Sequence, residues 1–343
     1  MRVNMGNIEN KGIELTINAT PVQLRDFSWQ TTLTYTKNKN KVLKLSEGKS
    51  FVEDGKYLIE EGSPLGQWFG QKALGIYATD EANAYIKNSD GSFGDRLIPV
   101  YQRDPNNYNN YIYGSNGKPI FSHYETKGGQ KYTGDVGQMT TAGSVSKGGD
   151  IIWDDLDHDG VIGDSDRRIL GNGMPTWYMG WTNYLNYKNF SLSFSFYGSF
   201  GNKIYNKQRR DLLQNSSSNM TPLARDCYRL WKYQGQITEV YSSAKATTGV
   251  NNARELSSFF LEDGDYIRLT NARLAYRVDR NFTKRFHISD LQLYVYGNNL
   301  LTWTKYKGFD PSSISNSNVL RPGIDNGRYP TAREIGFGLN VNF

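Results

Sequence analysis

Hydrophobic and polar residues alternate one by one along FSLSFSFYGSF, from Phe190 to Phe200. Phe190, Leu192, Phe194, Phe196 and Phe200 share one side of an extended chain, and Ser191, Ser193, Ser195 and Ser199 the other. The same period of two aligns Ile13, Leu15, Ile17 and Ala19, then Phe27, Trp29, Leu33 and Tyr35. It returns at Trp177, Met179, Trp181, Leu185 and Tyr187, at Leu291, Leu293, Val295, Leu301 and Trp303, and at Ile335, Phe337, Leu339, Val341 and Phe343. Each run is about ten residues, the length of a tilted membrane strand. A soluble sandwich strand alternates too, but an aromatic face backed by small polar residues favours a lipid-facing wall around a wet interior. Trp29, Tyr35, Trp177, Tyr187, Trp303 and Tyr306 sit near the expected strand ends, as aromatic girdles would.

Connections alternate in length. TPVQLRD, YKN and the stretch around DRNFTKRFH are brief, whereas residues 37–56, 78–175, 201–262 and 304–331 are long, polar and rich in Gly, Asn and Ser. Outer-membrane barrels pair short periplasmic turns with long extracellular loops, so 78–175 and 201–262 are expected outside the cell. If Tyr57–Tyr77 holds two strands, parity works and the total is about nine. The expected fold is all-β: an antiparallel transmembrane β-barrel wall with long extracellular loops, residues 1–343 forming part of a larger closed barrel whose remaining strands pair its edges. KQRRDLLQ and PLARDCYRLWKY, within 206–235, have apolar spacing suited to short helices.

Composition agrees: 24 Tyr, 16 Phe, 7 Trp and 35 Gly among 343 residues make a β-rich profile. A single cysteine, Cys227, excludes an internal disulfide, and His123, His158 and His287 lie in no catalytic or ligand spacing. The net charge of +6 is scattered among nearly as many acids, which argues against a nucleic-acid partner. The densest basic run, KNKNKVLK (Lys37–Lys44), reads as a solvated loop, with anionic lipid headgroups as the sharper alternative. No window is apolar enough for a membrane helix, a test that a one-faced strand escapes. MRVNMGNIENKG has no apolar core of a secretory signal.

One motif carries candidate chemistry. In DDLDHDGVIGDSDR the residues Asp155, Asp157, Asp159, Gly160, Val161 and Asp166 fall at places 1, 3, 5, 6, 7 and 12 of a Ca²⁺ loop. Carboxylates of Asp155, Asp157, Asp159 and Asp166 and the Val161 carbonyl are the expected ligands of a structural Ca²⁺, with Gly160 taking the sharp turn. Flanking EF-hand helices are not expected from TAGSVSKGGDIIW and RRILGNGMPTW. The alternative is an acidic surface turn closed by Arg167 and Arg168.

The chain resembles the C-terminal barrel region of the Bacteroidetes SusC/RagA family of TonB-dependent outer-membrane transporters over nearly its whole length. The residues that carry this are ENKGIEL, GQWFGQKALGIYATDEA, the run from DIIWDDLDHDGVIGDSDRR through GNGMPTWYMGWTNYLNYKNFSLSFSFYGSFGNKIYN, EDGDYIRLTNARLAY, LYVYGNNLLTWTKYKGFDP and YPTAREIGFGLNVNF. The resemblance implies a roughly 22-stranded plugged barrel in the outer membrane of a Gram-negative cell. It implies import of oligosaccharides or peptides, driven by a TonB–ExbB–ExbD complex and covered by a SusD-type surface lipoprotein. In that pattern the Asp-rich turn is extracellular, and the plug, the TonB-contacting segment and the signal peptide precede this region, so the chain is expected to be part of a longer protein. The terminal Phe343 matches the final strand that barrel assembly machinery recognises.

Two other readings compete. A secreted or surface Ca²⁺-stabilised carbohydrate-binding or adhesin module would use the same residues, but would pack its strand faces on a second sheet. A glycan-cleaving enzyme needs paired acids, and Asp263, Asp265 and Asp310 are unpaired carboxylates in the sequence pattern. With no GxSxG, HExxH or phosphate loop, no enzyme is expected.

Overall fold

The alternating runs become one antiparallel sheet of seven strands in sequential order. These are β1 (Gly6–Gln23), β2 (Phe27–Leu45), β3 (Trp177–Tyr187), β4 (Phe190–Phe200), β5 (Tyr266–Arg277), β6 (Asp290–Thr304) and β7 (Glu334–Asn342). The computed structural model describes residues 6–46, 48–213, 226, 228–242, 252, 256–312 and 320–343. The chain divides into a first unit, 1–68, 171–206 and 261–343, which holds the sheet, and a second, 69–170 and 207–260.

Register gives the sheet two chemically opposite faces. Val22, Trp29, Leu185, Leu192, Leu274, Val295 and Phe337 pair strand to strand across all seven strands, an unbroken apolar row. On the other face Asn18, Thr32, Thr182, Ser195, Asn271, Asn298 and Glu334 form an equally continuous polar row. Hydrogen bonds stitch it crosswise: Thr32 to Asn18 at 2.7 Å, Thr182 to Ser195 at 3.1 Å, Asn271 to Asn298 at 2.8 Å and Asn298 to Glu334 at 2.9 Å. The apolar face has no protein cover over much of its area: Ile13 is 69%, Ile335 74% and Phe337 92% exposed. An exposed face this apolar needs lipid, not water.

Aromatic residues band both ends of the apolar face. Tyr35 lies 5.9 Å from Trp177, which stacks on Phe200 at 3.9 Å, while Phe27, Tyr187, Phe190 and Tyr276 pair across the opposite end. The strand path from Trp177 to Tyr187 is about 34 Å, or about 26 Å of height at a tilt of about 40°, which matches the apolar band of a membrane barrel. Tyr306 is no girdle residue: it is buried, and its hydroxyl donates to Asp325 at 2.5 Å.

The connections follow the expected alternation. Residues 24–26, 188–189 and 278–289 join strands at one end of the sheet, and 46–176, 201–265 and 305–333 at the other. Two expectations need correction. About nine long strands were expected, and the sheet has seven, because Tyr57–Tyr77 supplies only the short strands Tyr57–Ile59, Gln67–Gln71 and Ala73–Ile76 in separate sheets. The basic run Lys37–Lys44 is not a loop but the end of β2, paired with β1 through Lys39 with Lys11 and Lys41 with Glu9. Alternation continues as far as Val42, and a bulge at Leu43 returns Leu45 to the same side, so that both pack on Ile59 and Leu65.

The second unit is built from small sheets of two or three strands around Tyr77, Tyr85, Met139 and Ile152, with Phe93 packed against them. Buried Asn83 ties distant segments together: it donates to the carbonyls of Met139 and Ser146 and accepts from the Met139 amide. Of the two expected helices, Lys207–Leu213 forms. Of the second, residues 222–225 and Cys227 lie outside the described residues, and 228–233 form no helix: Leu230 bridges to Val240 instead.

In the first unit, Arg268 of β5 is tied to the connection after β6. It meets Asp310 at 2.6 Å, both side chains below a tenth exposed, and donates to Thr302 at 2.9 Å and Ser312 at 3.0 Å. Burial would raise the Asp310 carboxyl, but amides of Ser312 and Thr331 and their hydroxyls outweigh it and hold it well below the usual carboxylate range. A depressed folded-state value means that Asp310 stabilises the fold above the ordinary carboxylate range, and that this is lost as pH falls through the folded value. Asp310→Ala should cost about 3–5 kcal/mol by leaving Arg268 buried without its counter-charge. Urea unfolding of the detergent-solubilised protein at pH 7 reads this, and a change within about 1 kcal/mol, the range of exposed pairs, would refute it.

Candidate metal centre

The Asp-rich turn connects strand Ile151–Trp153 to strand Val161–Ile162. No helices flank it among the described residues, so this is a Ca²⁺-type sequence register carried between strands. Each strand is anchored in the second unit: Ile151–Trp153 pairs with Ala73–Ile76, and Val161–Ile162 runs parallel to Thr140–Thr141.

Inside the turn, backbone amides and carboxylates interlock. Gly160 N–H donates to Asp155 Oδ2 at 3.0 Å, Val161 N–H to Asp159 Oδ1 at 2.7 Å, and Asp159 N–H to Asp157 Oδ1 at 3.3 Å. Asp155, Asp157 and Asp159 thereby bring a ligand oxygen each to within 4.8 Å of one another. Asp157 and Asp159 face solvent, whereas Asp155 is 7% exposed and its Oδ1 is buried with no hydrogen-bond partner. Burial, opposed by the Gly160 amide, and the charges of Asp166 and its neighbours in the turn push the Asp155 carboxyl upward.

The other two expected ligands have different surroundings. Asp166 is fully buried and gives one oxygen to the Leu156 amide at 2.8 Å and the other to the Gly163 amide at 2.7 Å. It stands outside the three-acid group and acts as the staple that closes the turn. Val161 has a half-exposed side chain and commits its amide to Asp159. The flanking acids are neutralised, Asp154 by Arg168 at 2.6 Å and Asp164 by Arg167 at 4.0 Å.

Gly160 has φ +78°, and a Cβ there would lie 2.4 Å from the Phe93 ring. Phe93 also holds the turn through its own amide, which donates to the His158 carbonyl at 2.8 Å. Sequence spacing singles out Gly160 for its backbone; nothing in it pointed to Phe93, more than sixty residues earlier.

The acids named as possible hydrolytic groups are structural. Asp263 pairs with Lys203, Asp265 accepts from the Gly201 amide at 2.6 Å, and Asp310 holds Arg268.

A meander with one apolar and one polar face, aromatic bands at its ends and all long connections at one end is the wall of an outer-membrane barrel. Comparison with known proteins narrows this class. The chain is 35% identical over 347 residues to TonB-dependent receptor P39 of Formosa agariphila, a match covering 100% of the chain and 31% of that protein. It is 28% identical to TonB-dependent receptor P3 of the same organism, over 99% of the chain and 29% of that protein. With TonB-dependent receptor SusC of Bacteroides thetaiotaomicron the identity is 25% over 100% of the chain and 27% of that protein. No family profile matches. The chain belongs with the TonB-dependent receptors of the SusC/RagA kind, and it spans about a third of the length of these relatives. In fold it resembles the RagAB peptide transporter, with a TM-score of 0.65 at 17% identity over 99% of this chain and 30% of that one. The closed-closed state of the RagAB peptide importer gives a TM-score of 0.62 at 19% identity, over 99% of this chain and 30% of that one.

Gly160→Ala should loosen the turn, because it forces an L-residue into left-handed backbone and into Phe93, at a cost of about 1–3 kcal/mol. Hydrogen exchange at the Gly160 and Val161 amides should accelerate by about fivefold or more; unchanged exchange would show that the turn tolerates the added carbon.

Proposed function

We propose that this chain forms part of the wall of an outer-membrane, TonB-dependent importer of large nutrients, glycan-derived oligosaccharides or peptides. The observation that carries the reading is the pair of continuous rows across the sheet, apolar from Val22 to Phe337 and polar from Asn18 to Glu334, in a chain 35% identical throughout to a TonB-dependent receptor. The apolar row would face lipid and the polar row the lumen. Long connections at one end of the sheet support an extracellular position for 78–175 and 201–262, where a SusD-type lipoprotein would cover them. Energy would come from the TonB–ExbB–ExbD complex acting on the importer as a whole. Transport needs no bond-making residue in this wall, so none is assigned.

A soluble Ca²⁺-stabilised adhesin or carbohydrate-binding module fits less well. Its strand faces would be buried against a second sheet, whereas Phe337, Ile335 and Leu339 are 92%, 74% and 61% exposed.

Leu33→Arg, opposite Trp181 in mid-strand on the apolar face, should destabilise the protein folded in vesicles by about 2–4 kcal/mol. Gln30→Arg, on the opposite face, should stay within about 1 kcal/mol of the parent. Equal costs for the two would sink the lipid-facing assignment. For transport itself, cells carrying the gene should deplete a labelled oligosaccharide or peptide mixture from the medium in a TonB-dependent way. Deletion of the gene should abolish that depletion; a deletion strain that takes up the mixture normally would overturn the importer reading.

A further inference from the structure

The distribution of charge around the Asp-rich turn is uneven. Asp154 and Asp164 each have an arginine, yet Asp155, Asp157 and Asp159 have no lysine or arginine at ion-pair distance among the described residues. Three carboxylates held within 4.8 Å, one of them buried, repel one another, and a cation between them would relieve that repulsion. The buried Asp155 supplies the most specific feature: Oδ2 is satisfied by Gly160, while Oδ1 has neither solvent nor a donor. A buried carboxylate oxygen left without a partner is costly in a fold that satisfies Asp166 at both oxygens a few residues on.

We infer that Asp155 Oδ1, with one oxygen each from Asp157 and Asp159, binds a Ca²⁺ ion that the loop is built to receive. A hard divalent cation takes about six to eight oxygens at about 2.3–2.6 Å, so ligands on opposite sides of it are spaced much as these three acids are. Water fills positions on the open side, where Asp157 and Asp159 meet solvent. Mg²⁺ fits poorly, since it demands shorter, octahedral contacts and gives up its water reluctantly. Asp166 is not required as a direct ligand; its role is to hold Leu156 and Gly163 together so that the three acids converge. Because Phe93 seats against Gly160 and belongs to the cluster around Tyr77 and Met139, the ion would stabilise the core of the second unit as well as the turn. The inference is independent of what the wall transports.

The test uses the whole protein in detergent, with CaCl₂, MgCl₂ or chelator, and follows tryptic cleavage after Arg167 and Arg168. At a Ca²⁺ concentration about ten times its dissociation constant, opening of the turn and therefore cleavage should slow about tenfold relative to chelator. The double variant Asp157→Asn, Asp159→Asn should lose this difference. Both residues are exposed and the substitutions keep their shape, so its barrel should retain the parent's urea midpoint. Calorimetric titration should give one Ca²⁺ per parent chain and none for the variant. Equal cleavage of the parent with Ca²⁺ and with chelator would overturn the inference. So would equal protection by Mg²⁺, which marks a general counter-ion effect, or a variant that binds as the parent does.

Discussion

The single register of the backbone ladder from β1 to β7 is the constraint on which the rest of this structure depends. Side chains change face at every residue, so a slip of one position in any strand would turn its apolar set inward and its polar set outward. The crosswise hydrogen bonds of the polar row and the aromatic contacts of the bands form only in the register observed. They reward the alignment from both faces at once. Local irregularity is permitted only where it preserves this outcome. The register shifts at Thr270 between β4 and β5 and between β5 and β6, and Asn299 opposite takes φ +51°, yet Leu269 and Ala272 both remain on the apolar face.

Polar residues also sit within the apolar rows, Thr31 and Asn183 among them. Asn183 on β3 pairs with Thr31 and Phe194, is 1% exposed, and accepts the Trp29 indole N–H at 3.0 Å. Trp29 thus presents its ring to the apolar side while its one donor is satisfied by the neighbouring strand. The Asn183 side-chain amide nitrogen is itself buried without a hydrogen-bond partner, so the carbonyl serves Trp29 while the amide stays open.

Much of the wall was legible in the sequence because period-two alternation is a local signal, complete within each strand. Six of the seven strands lie on alternating runs; β5 is bracketed only by the connections on either side, because the register shift at Thr270 breaks its period. The errors have physical causes. Lys37–Lys44 reads as a loop because lysine outweighs alternation by eye and a bulge at Leu43 breaks the period between Val42 and Leu45. Tyr57–Tyr77 is apolar enough for membrane strands, but its residues pack inward: Tyr57 and Trp68 stack at 4.4 Å with neither exposed. The acid turn was readable in its spacing, since Asp155, Asp157 and Asp159 converge. The stapling role of Asp166 was not, because it depends on which amides the folded turn presents. Arg268 and Asp310 lie 42 residues apart and find each other only through the sheet.

Strands β2 and β3 are neighbours in the sheet, yet residues 46–176 intervene between them. Loop-closure entropy grows only with the logarithm of length, so doubling such a connection costs about 0.6 kcal/mol more. The ladder therefore places almost no limit on how much chain is carried between two of its rungs. A wall of this design can keep its register fixed while the inserted segments lengthen, shorten or are exchanged, so its exposed surface is free to diversify at nearly constant stability.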